Sequence, residues 1–347
     1  MTNTTASEDG GPEIVAEISA NHNGSLSRAL ELVHAASRSG VDAVKLQTYT
    51  PETITLDSDS SQFTVAADHP LWAGRTLHDL YSEAHTPWEW HEPIFSLATS
   101  LGLEVFSTPF DESAVDFLEE LGVTRFKIAS LEIVDIPLIV RVAATLKPII
   151  LSTGASNLGE IDEAVDAVLG TNPKAVVTLL LCSSSYPANP GSIGLRNMGL
   201  LRQRYGTRVG YSDHTEGLGV AVAAAALGAQ MIEKHMTSND RQGGPDESFS
   251  ASEHEMGLLV RSVRDAVHAN QEIEFGPTAD EAESRRLRPS LWVTVPVSQG
   301  DLVTASNVSS LRPGGGLAPG ELTRILGKRF VQDTGAATPV TEDLLAD

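Results

Sequence analysis

Short runs rich in β-branched residues alternate eight times with amphipathic segments along most of this chain, and few architectures accept that order. The predicted strands cover residues 14–20, 43–48, 103–110, 125–130, 148–153, 176–184, 208–214 and 231–236. The predicted helices fall near residues 25–39, 88–100, 112–121, 137–145, 159–169, 193–204, 218–227 and 252–269. Ser25 suits a helix N-cap, and Gly40, Gly102, Gly122 and Gly228 stand where helices should stop. Eight β-then-α units in about 260 residues are the pattern of a closed (β/α)8 TIM barrel. A doubly wound open sheet is the alternative, but no glycine-rich nucleotide fingerprint follows the first strand.

Two segments lie outside this count. Residues 50–86 are too long for a simple strand-to-helix loop and carry Trp72 and Tyr81, as a lid or specificity loop over the barrel mouth would. Residues 271–288 read as a charged, helix-prone linker, and residues 289–347 as a small, mostly β module. The domain expectation is therefore a disordered N-terminus over 1–12, a barrel over 13–270, the linker, and the β module.

The net charge is −22, from 24 basic and 46 acidic residues, which disfavours nucleic acid and anionic membrane as partners. No run of about 18 apolar residues predicts a membrane span. The polar start of the chain is unlike a secretory signal, and the single cysteine, Cys182, fits a reducing, cytoplasmic setting. Of only six lysines, Lys45, Lys127 and Lys234 fall inside apolar strand-like runs, where an unpaired ammonium is costly. Such lysines are expected to face a buried anion.

In a barrel of this kind the C-terminal strand ends face one pocket. Those ends carry Glu17, Lys45, Gln47, Thr108, Lys127, Ser130, Glu132, Ser152, Gly154, Ser184, Ser212, Asp213, His214, Glu233 and His235. Two lysines with several hydroxyls and a glycine turn suit a small, multiply charged anion such as a phosphate ester. The bland alternative pairs Lys45 and Lys127 with Glu17 and Glu132. His214 and His235 end neighbouring strands and could hold a divalent metal, or be ordinary core histidines. Glu17, Glu132, Asp213 and Asp246 offer carboxylates for proton transfer or hydroxyl recognition. The contiguous Ser212-Asp213-His214 cannot form a hydrolase triad, because adjacent strand residues point to opposite faces.

Several segments resemble the sialic acid synthase family with a C-terminal SAF (antifreeze-like) domain. They are EISANHNGS (17–25), VKLQTYTPET (44–53), FSTPF (106–110), KIAS (127–130), LSTGA (151–155), CSSSYP (182–187), GYSDHT (210–215), EKH (233–235) and GPDESFS (244–250). The KLQTYTP form, the stretch from Asp79 to His91 and FSTPFD are most similar to its pseudaminic acid-forming members. The resemblance implies condensation of phosphoenolpyruvate with 2,4-diacetamido-2,4,6-trideoxy-L-altrose, or with the sugar precursors of legionaminate or N-acetylneuraminate. A carbohydrate-binding accessory that kept the fold without turnover is the non-enzymatic alternative. The resemblance also implies phosphoenolpyruvate contacts from Lys45, Thr108, Lys127, Ser130, Ser152, Ser184 and Ser212, with Ser184 replacing an asparagine found in some members. It implies catalytic roles for Glu17, Glu132, His214 and His235, and Mn2+, Mg2+ or Co2+ on the two histidines. Sugar contacts would come from Tyr186, Asp246 and Arg312, the last reaching across a domain-swapped homodimer.

Overall fold

A computed structural model describes residues 11–67 and 71–347. Eight parallel strands close into a barrel: β1 (Glu13–Glu17), β2 (Ala43–Thr48), β3 (Glu104–Pro109), β4 (Phe126–Ile128), β5 (Ile149–Ser152), β6 (Val177–Cys182), β7 (Arg208–Asp213) and β8 (Met231–Thr237). Each pairs with the next, and β8 returns to pair with β1. The eightfold alternation is therefore realised as the predicted TIM barrel. Helices between the strands bury one face each. In Leu26–Ser39 the buried Ala29, Leu32, Val33 and Ala36 follow helical spacing. The Ser25 hydroxyl accepts the Arg28 amide N–H at 3.4 Å, and Gly40 ends the helix at φ 78°.

Some boundaries differ from the expected ones, for local reasons. The sixth outer helix begins at Asn197 rather than near 193, because Gly194 takes a left-handed turn at φ 63°. β1 stops at Glu17, and residues predicted to extend it fold back as a single turn, Ser19–His22. The long segment after β2 contains two short helices, Pro51–Ile54 and Leu77–Ala84. The expected disorder over 1–12 falls, apart from Gly11 and Pro12, outside the described residues. Among the described residues no helix is long and apolar enough to cross a membrane.

Period-2 alternation sorts the barrel interior into layers. At the bottom, Arg125 pairs with Glu13 and with Glu104 (3.1 Å) and lies 4.2 Å from the Phe106 ring centre. Above it Val15, Ala43, Phe106, Ile150, Leu180 and Met231 form an apolar plug. Two residues further along the strands the inward positions become polar, and that layer is the floor of the site. Gly210 belongs to the plug, where a Cβ would overlap the Met231 carbonyl and come 2.7 Å from Leu180 Cδ2. Gly210→Ala is expected to cost about 2–3 kcal/mol of stability through overpacking, read as a lower denaturation midpoint at unchanged slope.

The chain divides into two compact units between Gln271 and Glu272. The second contains a helix at Ala282–Arg286 and a three-stranded antiparallel sheet of Ser290–Val293, Val308–Leu311 and Thr338–Pro339. Leu291, Val293, Val303, Val308, Ile325, Phe330 and Val340 give it its own core.

Candidate active site

Strand parity points Lys45, Lys127, Ser212 and Glu233 into the barrel one step above the plug, and His235 one step further along β8. Strand register sets Glu17 beside Lys45 on one side and beside His235 on the other. Glu233 sits at the centre of the floor. Lys127 Nζ donates to both of its oxygens, at 2.9 and 3.0 Å, the Ser212 hydroxyl donates at 3.3 Å, and Lys45 Nζ lies 3.7 Å away. Lys45 also pairs with Glu17 and donates to Thr108 Oγ1 at 3.3 Å. The bland pairing is thus half realised: Lys45 does meet Glu17, whereas Lys127 meets Glu233 and not Glu132.

These groups are almost wholly removed from solvent, with Glu17 at 0% exposure and Lys127 at 3%. Burial pushes the Lys45 ammonium down to about 7, with Glu233 opposing and Lys127 adding repulsion. Burial alone would raise Glu233, but Lys127 and Lys45 outweigh it and hold that carboxyl at about 2.

Beside the lysines stands a group of hydroxyls. The Gly154 amide N–H donates to Ser130 Oγ at 3.1 Å, and a Cβ at Gly154 would overlap the Ser184 hydroxyl. Ser152 Oγ and Ser184 Oγ are buried with no hydrogen-bond partner in the protein. Orphaned buried hydroxyls next to two ammonium groups are what a polar ligand would satisfy.

The His214 and His235 rings converge, with centroids 5.3 Å apart. His214 Nδ1 donates to the Ser183 carbonyl at 2.8 Å, which leaves the Nε2 lone pair available. Burial opposes charge on His214, but Cys182, 3.7 Å from Nδ1, and the Ser183 carbonyl raise it overall. His235 is held well below its usual range by burial first, then by His214 and Lys45, so it stays neutral. Its Nδ1 has no hydrogen-bond partner and lies 3.8 Å from Asp246 Oδ2. No group of three or more His, Cys, Asp or Glu side chains is arranged to hold a metal among the described residues. Two convergent imidazoles with an unengaged nitrogen fit an open cation site completed by water or substrate, and not a closed structural one.

The carboxylates divide between the two faces of the sheet. Glu17 Oε1 accepts the Ser19 amide N–H at 2.7 Å. Glu132, in the turn Leu131–Val134 after β4, has one oxygen buried without a partner, and burial pushes its carboxyl up to about 7. Asp246 accepts from the Ser19 hydroxyl and is raised by burial. Asp213 does not join them. It faces outward and accepts from Lys234 Nζ at 2.8 Å and from Thr215, so Lys234 is likewise removed from the site. Cys182 is packed against His214 with no sign of a separate role.

Aromatic rings wall the mouth. The Tyr186 ring lies 4.4 Å from that of His214, 5.2 Å from that of Phe249 and 6.1 Å from that of Trp72. Trp72 Nε1 donates to the Pro245 carbonyl at 3.1 Å, so the segment after β2 does reach across to the loop after β8. Arg312 belongs to the other unit and is exposed there. Sequence reasoning passed over three participants: Glu233 as the central counter-ion, Ser19, and Phe249.

A closed barrel with paired lysines, unengaged serines and convergent imidazoles at its C-terminal end, carrying a separate small β domain, defines an enzyme of the barrel class. Residues 32–274 match the NeuB family and residues 288–346 the SAF domain, and the chain belongs to the NeuB family. It is 40% identical over 333 residues to the pseudaminic acid synthase of Helicobacter pylori, covering 96% of this chain and 97% of that one. It is 38% identical over 332 residues to the N,N'-diacetyllegionaminic acid synthase of Legionella pneumophila, covering 94% and 92%. The crystal structure of N-acetylneuraminic acid synthetase from Leptospira borgpetersenii, in complex with citrate, superposes with a TM-score of 0.69. That pair is 29% identical and covers 80% of this chain and 90% of the other.

Proposed function

We propose that this enzyme condenses phosphoenolpyruvate with 2,4-diacetamido-2,4,6-trideoxy-L-altrose, giving pseudaminic acid and phosphate. The observation that carries the reading is the pair of inward lysines beside the unengaged Ser152 and Ser184 hydroxyls, a cradle for a small dense anion. Likeness to pseudaminic acid synthases supports the choice of sugar. Legionaminate or N-acetylneuraminate synthesis by the same machinery is the second reading, favoured by the likeness at 38% to a legionaminic acid synthase.

In this reading Lys45, Thr108, Lys127, Ser130, Ser152, Ser184 and Ser212 hold phosphoenolpyruvate. His214 and His235 would hold Mn2+, Mg2+ or Co2+, which supplies Lewis acidity toward an aldehyde oxygen. Carbon 3 of the enol attacks the aldehyde carbon and forms the new carbon–carbon bond. The carbonyl π pair moves to oxygen, which takes up a proton and becomes a hydroxyl, and carbon 2 of the pyruvyl unit is left as an oxocarbenium. Water then adds at carbon 2, and the resulting hydroxyl gives up its proton as the carbon–oxygen bond to phosphate breaks and the keto group forms. Glu132, already near neutrality, takes the proton of that water, while Glu17 orders the reacting end through Lys45. Tyr186 and Asp246 line the sugar, and Arg312 of the partner subunit in a domain-swapped homodimer reaches its acetamido group.

Purified protein, supplied with phosphoenolpyruvate, Mn2+ and each candidate sugar in turn, is expected to release phosphate with the diacetamido altrose. A chelator should stop the release and added Mn2+ restore it. Release with N-acetylmannosamine alone would overturn the choice of sugar, and release with none of them would overturn the synthase reading.

A further inference from the structure

Ser19 stands at φ +35°, in the left-handed region that glycine enters freely and an L side chain enters at a cost. Nothing about the turn Ser19–His22 requires a side chain there, so the strain calls for a compensating role. Three hydrogen bonds supply it. The Ser19 amide N–H donates to Glu17 Oε1 at 2.7 Å, its hydroxyl donates to Asp246 Oδ2 at 2.5 Å, and that hydroxyl accepts from Gln47 Nε2 at 2.9 Å. One residue thereby connects β1, β2 and the loop after β8.

Asp246 needs such a tie. It is carried by a loop whose preceding residues Arg241, Gly243 and Gly244 all have positive φ, at 37°, 83° and 136°. No strand pairing fixes the carboxylate, and besides Ser19 it has the long Ala20 amide hydrogen bond at 3.4 Å and the His235 ring at 3.8 Å. Glu17 and Asp246 are also the two carboxylates that flank His235, one by strand register and one at 3.8 Å.

We infer that Ser19 is a positioning residue for the sugar half of the reaction: its hydroxyl holds Asp246 in place against a sugar hydroxyl while its amide orients Glu17. The inference rests on the synthase reading above. It separates two effects that a purely structural serine would not separate, because the hydrogen bond from the Ser19 backbone amide to Glu17 survives loss of the side chain and the hydroxyl's bond to Asp246 does not.

The test uses the full-length protein and the Ser19→Gly variant, assayed with phosphoenolpyruvate, Mn2+ and the diacetamido altrose. Glycine accepts the backbone conformation, so cooperative unfolding should persist. The KM for the sugar should rise about tenfold, the loss expected for a hydrogen bond to a charged group. The KM for phosphoenolpyruvate should stay within twofold. In an Asp246→Ala background, Ser19→Gly should add almost nothing, since its target is gone. An unchanged sugar KM, equal rises in both KM values, or additive losses in the double variant would each overturn the role of Ser19. A wild-type protein that releases no phosphate with any sugar would overturn the synthase reading itself, and this inference with it.

Discussion

Lys127→Met should lower phosphate release by about 10³-fold, the scale seen when one preorganised electrostatic donor is removed from a water-poor site. The side chain becomes one heavy atom shorter and loses its charge and its N–H donors, so the barrel interior stays nearly filled. Two consequences separate in the measurement. Toward substrate, one of two ammonium groups facing the incoming anion disappears, and the KM for phosphoenolpyruvate should rise along with the fall in kcat. Toward the fold, Glu233 loses the partner that holds it at both oxygens and keeps the Ser212 hydroxyl at 3.3 Å and Lys45 at 3.7 Å. A buried carboxylate left half-compensated is destabilising. Adding Glu233→Gln should therefore recover the denaturation midpoint while leaving activity low. If Lys127→Met kept activity within tenfold of the wild type, the lysine pair would not be the anion cradle.

The same strand arithmetic explains what could be read from the residues. Barrel closure was legible because each strand is a short apolar run bounded by turn chemistry, and Ala43–Thr48 emerges with its predicted ends. The inward direction of Lys45 and Lys127 follows from their parity, and the same rule turns Asp213 and Lys234 outward to pair with each other. Glu233 lay within reach of that rule, two residues before His235 on β8. What parity cannot supply is which inward groups meet across the barrel, because that depends on strand tilt and stagger. Lys127 therefore finds Glu233 on β8 and not Glu132 on its own connecting turn. Trp72 was legible only as an aromatic in an overlong segment; its bond to Pro245 joins positions 173 residues apart. The strain at Ser19 had no signal at all, since serine is ordinary in a turn and the left-handed φ appears only in three dimensions.

Glu132 gives the second large effect, and its sign can be worked out. Burial raises its carboxyl from the ordinary 4.5 to about 7, with backbone bonding and Lys127 opposing. The folded protein thus binds this proton more tightly than the unfolded chain does. Folding stability falls as pH rises from about 4.5 to about 7 and is flat in this respect beyond. Glu132→Gln should match the wild type below that window and exceed it above, by at most about 3 kcal/mol. Activity should move the other way. A base that takes the proton of the attacking water must be ionised, so Glu132 contributes an ascending limb near pH 7 to kcat/KM. Lys45, lowered to about 7, must keep its proton to hold the anion and contributes the descending limb. The wild-type profile is then a bell centred near neutrality. The variant should lose about 10²–10³ in rate, the usual worth of a placed base, and retain the descending limb alone. Ionisation of phosphoenolpyruvate itself is common to both proteins, so the ratio of the two profiles isolates the Glu132 limb. A ratio that does not vary with pH, together with no gain in stability above pH 7, would remove Glu132 from proton transfer and leave that work to Glu17.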